Sequence, residues 1–455
     1  MTGTPAMAAS PQRGDELELT IDSLAFGGAG VARLDGYVVF VSGTVPGDRV
    51  RAVIAKRKRA YAEARVTEIL APSPNRVAPV ADHPGAVWQV LPYERQLEVK
   101  QAQVDDALRR IGKLGGFALE PIVPAVAQWR YRNKLEYSFG TDSTSGELVC
   151  GFHAPGRWDE IVAIGDCQLA SERSNEARER IVRWCREQGL TVYDRRSGEG
   201  MLRNLVVREG RRTGAIQVRL VTARGQLDRD SLATAGAGLD GVLWTQQDRP
   251  GETTQGGETE LLAGTERFDE VLGGMHFSIS AQAFFQTNTE MAEQLYELAI
   301  EYVAPRGFER VFDLYCGIGT IALSIAPRVA EVWGLELVPE AIADAINGAR
   351  ANEIDNVHFF AGDVRLALGE LTERAGRPDV LIVDPPRAGL SQKVVRRIIE
   401  TAAQRIIYVS CNPTTLAPNA AQLTEAGWRL ERVRPVDMFP QTPHIECVAE
   451  LVRTG

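Results

Sequence analysis

VFDLYCGIGTIALSIA, residues 311–326, decides the fold of this chain. A short apolar run, VFDLY, meets Cys316-Gly317-Ile318-Gly319-Thr320 and passes into the helical stretch TIALSIA. Glycines there let the backbone turn tightly and approach a ligand, and a helix N-terminus presents free amides. Downstream, EVWGLEL (331–337), VHFFAGD (357–363), DVLIVDPP (379–386) and IIYVSC (406–411) are further apolar runs, each followed by a helical stretch. That alternation predicts a parallel, doubly wound sheet in an α/β, Rossmann-like domain. Two more strands, near 428–439 and 445–453, have no helix-length segment between them and are expected to pair antiparallel at one edge.

The loop alone fits more than one ligand. Nineteen residues after Gly317, Glu336 ends the next strand, where a carboxylate can hold a ribose diol. Gly317, Gly319 and Ala322 also satisfy the dinucleotide fingerprint, so a nicotinamide dehydrogenase or a purely structural turn remains open at this point. Asp384-Pro385-Pro386-Arg387 closes the fourth strand at the carboxyl edge, where such sheets bind ligands. Asp363 is placed where an acidic side chain could meet an adenine amino group. Neither feature is expected of a hydride-transfer site, and together they favour S-adenosylmethionine.

Cys411 ends a strand at the same edge and is followed by Asn412-Pro413. An arbitrary buried cysteine is more often inert core, but this position faces its sulfur toward the cofactor crevice. Methylation of uracil at carbon 5 would require such a group. That carbon is a weak nucleophile until a thiolate adds to carbon 6, which splits one hard step into two easier ones. A base must then take the carbon-5 proton so that the thiolate can leave, and Glu446 is the candidate; its bland alternative is an exposed surface glutamate. Asp384 is also placed to hydrogen-bond the uracil edge.

Working toward the N-terminus, ELELTIDSL (16–24), YVVFVSG (37–43) and RVRAVIAKRKRAYAEARVTEIL (49–70) give short strands with glycine-rich turns, a small nucleic-acid-binding type of barrel. Between residues 48 and 65, Arg49, Arg51, Lys56, Arg57, Lys58, Arg59 and Arg65 stand against only Asp48 and Glu63, either as phosphate contacts or as a solvated hairpin tip. APSPNRVAPV (71–80) is a linker, and PYERQLEVKQAQVDDALRRIG (92–112) has helical period. Residues 120–275 return to strands in an α+β region with an antiparallel sheet, NLVVREG (204–210) and AIQVRLVTA (215–223) forming a hairpin.

With 455 residues, a net charge of −9 and 44% hydrophobic residues, the chain suits several globular domains, and any RNA site must be a local positive patch on an acidic body. The six cysteines include no C-x-x-C pair, which argues against a disulfide framework or a zinc site and suits a reducing cytoplasm. Residues 1–14 lack a signal-peptide pattern, and no apolar run approaches the about 20 residues needed to span a bilayer.

Phe284-Phe285-Gln286-Thr287-Asn288, the 313–319 loop, Asp384-Pro385-Pro386-Arg387-Ala388-Gly389, Val409-Ser410-Cys411-Asn412-Pro413, and Met438-Phe439-Pro440 followed by His444-Ile445-Glu446 stand in one order. In them the chain resembles the bacterial RNA 5-methyluridine methyltransferases, which modify uridines in 23S ribosomal RNA and the T-loop of transfer RNA. The resemblance implies a disordered tail over 1–11, a TRAM domain over 12–71, a central α+β domain over 72–280 and a class I methyltransferase domain over 281–455. It implies S-adenosylmethionine as cofactor, held by Gln286, Tyr315, Thr320, Glu336 and Asp384, with Cys411 as nucleophile and Glu446 as base. Thr320 departs from the Asn that relatives often carry there. The partner would be RNA, ribosomal in preference to transfer RNA because dedicated transfer-RNA enzymes commonly lack the TRAM domain. The enzyme would be a cytoplasmic monomer. The alternatives are a transfer-RNA T-loop enzyme and an RNA-binding protein with an inactive catalytic domain.

One departure is larger. Many relatives hold a [4Fe–4S] cluster with cysteines at the positions of Val77, His83 and Ala86 here, and a fourth at Cys167. One thiolate cannot hold such a cluster, so none is expected and no metal site is assigned. The segment Arg130-Tyr131-Arg132-Asn133-Lys134 nearby would be either an RNA contact or a structural strand.

Overall fold

Alternating apolar residues in the first 71 residues build a six-stranded sheet in the computed structural model, which describes residues 11–157, 159–249 and 251–454. Residues 1–10 of the expected tail lie outside the described residues. Glu16–Thr20 pairs Arg49–Arg57, which pairs Tyr61–Ala71, then Tyr37–Ser42, Gly30–Leu34 and Ser23–Leu24. The first strand also touches Gly30–Leu34, so the sheet curls around Leu19, Val39, Val41, Val50, Ile54 and Ala62. Lys56 to Arg59 sit at the exposed tip of the hairpin between Arg49–Arg57 and Tyr61–Ala71. Arg51 instead pairs with Glu16, Glu18 and Glu68, and Lys56 with Glu63 at 3.4 Å.

Seven strands form the second sheet, in the order Ile161–Ala163, Leu148–His153, Lys134–Thr141, Leu202–Glu209, Ile216–Thr222, Gly241–Gln246 and Glu258–Gly264. The expected hairpin is there, with Val206 opposite Arg219. The sheet is not wholly antiparallel as expected. Ile216–Thr222 and Gly241–Gln246 run parallel, because the helix Arg229–Ala235 carries the chain back over one face between them. Glu172–Glu187 covers the same face through Ala177, Ile181, Val182 and Cys185.

The third sheet has eight strands, ordered Val357–Ala361, Glu331–Glu336, Arg310–Leu314, Val380–Val383, Arg405–Ser410, Glu446–Arg453, Trp428–Val436 and Ala118–Leu119. The first five are parallel, as their apolar runs predict, and their order reverses direction between Arg310–Leu314 and Val380–Val383. A doubly wound sheet opens a ligand crevice at that point. The two final strands pair antiparallel, with Glu446–Arg453 inserted between Arg405–Ser410 and Trp428–Val436.

Residues 93–119, which the sequence placed with the middle region, pack on this third sheet. Val104, Ala107, Leu108 and Phe117 share a core with Leu416, Ala417, Trp428 and Leu430, and Ala118–Leu119 extends the sheet beside Trp428–Val436. The helix Tyr93–Asp106 and its one-turn π extension Ala107–Ile111 therefore belong by burial to the C-terminal body. The hairpin Phe268–Leu272 with Met275–Ile279 does the same. Among the described residues no helix is long and apolar enough to cross a membrane.

Candidate active site

The loop after Arg310–Leu314 turns through three left-handed residues, Tyr315 at φ 66°, Gly317 at φ 55° and Gly319 at φ 79°. A Cβ on Gly319 would stand 2.8 Å from Phe359 Cζ and 3.1 Å from Ala345 Cβ, so only glycine fits without a shift. Tyr315 accepts a conformation that costs a non-glycine residue of order 1 kcal/mol. Its amide donates to the Leu335 carbonyl at 2.8 Å, which ties the loop to the neighbouring strand.

Glu336 ends that strand with its carboxylate fixed by two backbone amides, Gly317 at 3.2 Å and Val338 at 3.0 Å. Leu337 and Val338 stand exposed just beyond it. Thr320 is buried at the first turn of the helix Thr320–Ile325, in hydrogen-bond contact with the Tyr296 hydroxyl. Burial pushes the Tyr315 phenol up to about 12. Gln286 is buried, and Asn133 Nδ2 donates to its carbonyl at 2.9 Å. An open-lipped glycine turn, a fixed carboxylate and exposed apolar side chains beside it suit an adenosine-bearing ligand.

Asp363 already has partners within the chain. Its carboxylate caps the helix Val364–Ala375 and pairs with Arg365, which holds it down at about 2. An adenine amino group would have to share it with that guanidinium.

Three acids meet at the carboxyl edge. Asp384 follows Val380–Val383, Cys411 follows Arg405–Ser410, and Glu446 opens the last strand. The register Ser410↔Cys447 places Cys411 and Glu446 next across the antiparallel pair. Burial pushes the Asp384 carboxyl up to about 7. Burial, then the Asp384 charge, drives Glu446 well above the usual carboxylate range, with Arg387 opposing. Burial and the Glu446 and Asp384 charges push the Cys411 thiol up to about 11, again against Arg387. These mutual effects put the three groups within one another's field, with Arg387 as the cation they share.

The turn bearing Cys411 is built locally. Ser410 Oγ accepts from the Asn412 amide at 3.2 Å, and Asn412 caps the helix Pro413–Glu425. Asn412 Nδ2 also donates to the Arg387 carbonyl at 3.0 Å, joining this turn to the Asp384 loop. Cys411 thus precedes a helix N-terminus, whose partial positive charge favours a thiolate.

Four neighbours escaped sequence reasoning. Arg387 stood within a motif quoted above without a role. Asp313 opens the glycine loop; it is fully buried, and burial and Asp384 raise its carboxyl. Tyr296 lies buried in the helix Thr289–Val303, with no local signal to mark it. His444 is held down at about 4 by burial, with Arg387 and Arg132 adding to the effect, so it is neutral near pH 7.

At the departed cluster positions, the buried His83 Nε2 lies 3.1 Å from Cys167 Sγ, and Gly85 N–H donates to His83 Nδ1 at 3.1 Å. Ala86 is buried and Val77 exposed. Among the described residues no group of three or more His, Cys, Asp or Glu could hold a metal ion. Arg130-Tyr131-Arg132-Asn133-Lys134 is tied into the structure. Arg130 pairs with Asp166, Tyr131 is buried, Arg132 lies over Phe439, and Lys134 pairs with Glu136.

Comparison with known proteins gives two family matches, tRNA (Uracil-5-)-methyltransferase over residues 266–454 and the TRAM domain over 11–67. An uncharacterized RNA methyltransferase of Halalkalibacterium halodurans is 37% identical over 96% of this chain and 97% of its own. One of Porphyromonas gingivalis is 38% identical over 96% and 99%. Among solved structures, the Pyrococcus abyssi tRNA (uracil-54, C5)-methyltransferase in complex with S-adenosyl-L-homocysteine superposes with a TM-score of 0.79. It is 30% identical, over 96% of this chain and 99% of that one.

Proposed function

This chain belongs to the tRNA (uracil-5-)-methyltransferase family, and from that membership we propose that Cys411 and Glu446 carry its reaction on a uridine of RNA. It is an S-adenosylmethionine-dependent RNA uracil-C5 methyltransferase of the class I, Rossmann-like fold, with a TRAM domain in front. The observation that carries the catalytic assignment is the convergence of Cys411, Glu446, Asp384 and Arg387 at the crevice edge.

Cys411 adds to carbon 6 of the uracil, and electron density moves to carbon 5 and the carbon-4 carbonyl. Bound S-adenosylmethionine supplies the methyl group as a sulfonium. Glu446 then removes the proton from carbon 5, the double bond reforms and the thiolate leaves. Gln286, Tyr315, Thr320, Glu336 and Asp384 line the cofactor's place. Arg387 offsets the negative charge that collects among the three acids.

Cys411→Ala is expected to lose methyl transfer by at least about a thousandfold while binding S-adenosylmethionine within about twofold of wild type. Wild-type-like turnover would overturn the covalent mechanism. Glu446→Gln is expected to leave a denaturant-stable RNA–protein adduct.

Ribosomal RNA, 23S in particular, is the substrate that the N-terminal TRAM domain supports. A second substrate, a transfer-RNA uridine, is favoured by the Pyrococcus abyssi enzyme. Its match leaves 4% of this chain uncovered, less than the barrel occupies, so a barrel does not by itself exclude transfer RNA. Mapping 5-methyluridine in both RNAs from cells lacking the gene separates the two.

A further inference from the structure

The segment between the last two strands, residues 437–445, leads directly into Glu446. Four successive carbonyls in it are each held from elsewhere in the chain. Asn288 Nδ2 donates to Met438 O at 2.8 Å, Lys100 Nζ to Phe439 O at 3.1 Å, Tyr131 Oη to Pro440 O at 3.0 Å, and the Trp88 amide to Gln441 O at 2.9 Å. Lys100 Nζ also meets Asp437 Oδ1 at 2.5 Å, with both side chains fully buried. Gln96, buried too, donates to Gln441 Oε1 at 2.8 Å and accepts from the Gln441 amide at 2.9 Å. Gln441 itself is left-handed, at φ 65°.

Burying a lysine, an aspartate and two glutamines costs free energy unless each is fully paired, and an apolar contact would hold two segments together at less risk. What the polar set adds is direction: five of its bonds each fix one main-chain carbonyl or amide of the segment, and the Lys100–Asp437 and Gln96–Gln441 bonds fix two of its side chains. Cys411 hangs on different supports, the Ser410–Asn412 turn and the Arg387 carbonyl.

We infer that Gln96 and the Lys100–Asp437 pair are positioning residues for proton removal, holding the segment that presents Glu446 without taking part in thiolate addition. The inference rests on the assignment of Glu446 as the base. Loosening the clamp should therefore slow elimination and let the covalent RNA adduct accumulate.

The test uses Gln96→Leu in the full chain. A double variant, Lys100→Gln with Asp437→Asn, removes the charges together and so leaves neither ion buried alone. Wild type and Glu446→Gln are run beside them. Turnover, denaturant-stable adduct, S-adenosylmethionine affinity and the thermal midpoint are measured. The clamp variants are expected to lose about tenfold or more in turnover, to raise the adduct fraction at least about tenfold, and to bind cofactor within about twofold of wild type. Turnover, adduct and cofactor binding all falling together, or all unchanged, would overturn the inference and leave a structural role only. If Glu446→Gln traps adduct and the clamp variants do not, the inference alone fails. If Glu446→Gln traps none, the assignment of the base fails and takes the inference with it.

Discussion

Asp384, proposed to line the cofactor's place, is held there at the expense of the fold. Its carboxyl titrates near 7 in the folded protein against 3.8 for an ordinary aspartate, because it is enclosed. A group whose folded pKa is raised contributes stability that is complete below its unfolded value and is lost as pH rises through the folded one. Between pH 4 and 7 the wild type should therefore lose stability from this site. Asp384→Asn is expected to be more stable than wild type at pH 8 by about 4 kcal/mol, with the difference gone by pH 4, in urea unfolding at the two pH values. The same variant should be nearly inactive. Cys411 gives a kinetic counterpart. With its thiol pushed up to about 11, the thiolate fraction of the free enzyme climbs with pH, and the rate of adduct formation should rise between pH 6 and 9. A flat profile in single-turnover measurements would count against thiolate attack as the step observed.

At the scale of elements, the proposed seat of the cofactor is the glycine loop and the helix after it. Gly319→Ala forces a side chain into a left-handed position against Phe359 and Ala345. It should cost about 1–3 kcal/mol of stability and at least about tenfold in S-adenosylmethionine affinity, read by thermal unfolding and titration. This loop, the five parallel strands and the three motifs that meet at the crevice edge were legible in the sequence. Each is a local pattern: an apolar run of strand length, a glycine at a fixed offset, a cysteine where a run stops. Ala118–Leu119 was not legible, since two residues carry no period and pair only because Trp428–Val436 offers an edge. The parallel pair in the middle sheet escaped for a related reason, as Arg229–Ala235 is too short to announce a crossover. Lys100 was the hardest to foresee. A lysine in an amphipathic helix reads as solvated, and its counter-ion Asp437 stands far along the chain. Arg365, two residues after Asp363, is a local partner for its carboxylate that a strand-end position alone does not suggest.

For the whole molecule, charge is divided between parts. An acidic body carries its clustered cations at the barrel's exposed hairpin tip, far in sequence from the crevice. Lys58→Glu and Arg59→Glu are expected to weaken RNA binding and to shrink the slope of log affinity against log salt by about one for each phosphate that is no longer neutralised. Cofactor binding should be unchanged, so filter binding over a salt series checks the assignment. The barrel is also joined to the helix Tyr93–Asp106 and to the segment before Glu446. Gln103 Nε2 donates to the Leu24 carbonyl at 3.0 Å, and a Cβ on Gly28 would stand 3.0 Å from Pro443 Cβ and 3.1 Å from Trp88 Nε1.

The buried pair of Lys100 and Asp437 also bears on how the chain is made. Synthesis proceeds from the N-terminus, so the helix with Lys100 leaves the ribosome 337 residues before the aspartate that neutralises it. Until then its ammonium must stay in water, and the helix, the π turn after it and the barrel edge resting on them cannot reach their final packing. Contacts that span so much chain are slow to form and leave apolar surface uncovered meanwhile. The segment around Asp437 thus fastens the helix that bears Lys100, and nascent chains halted before Asp437 should remain protease-sensitive around residues 93–111.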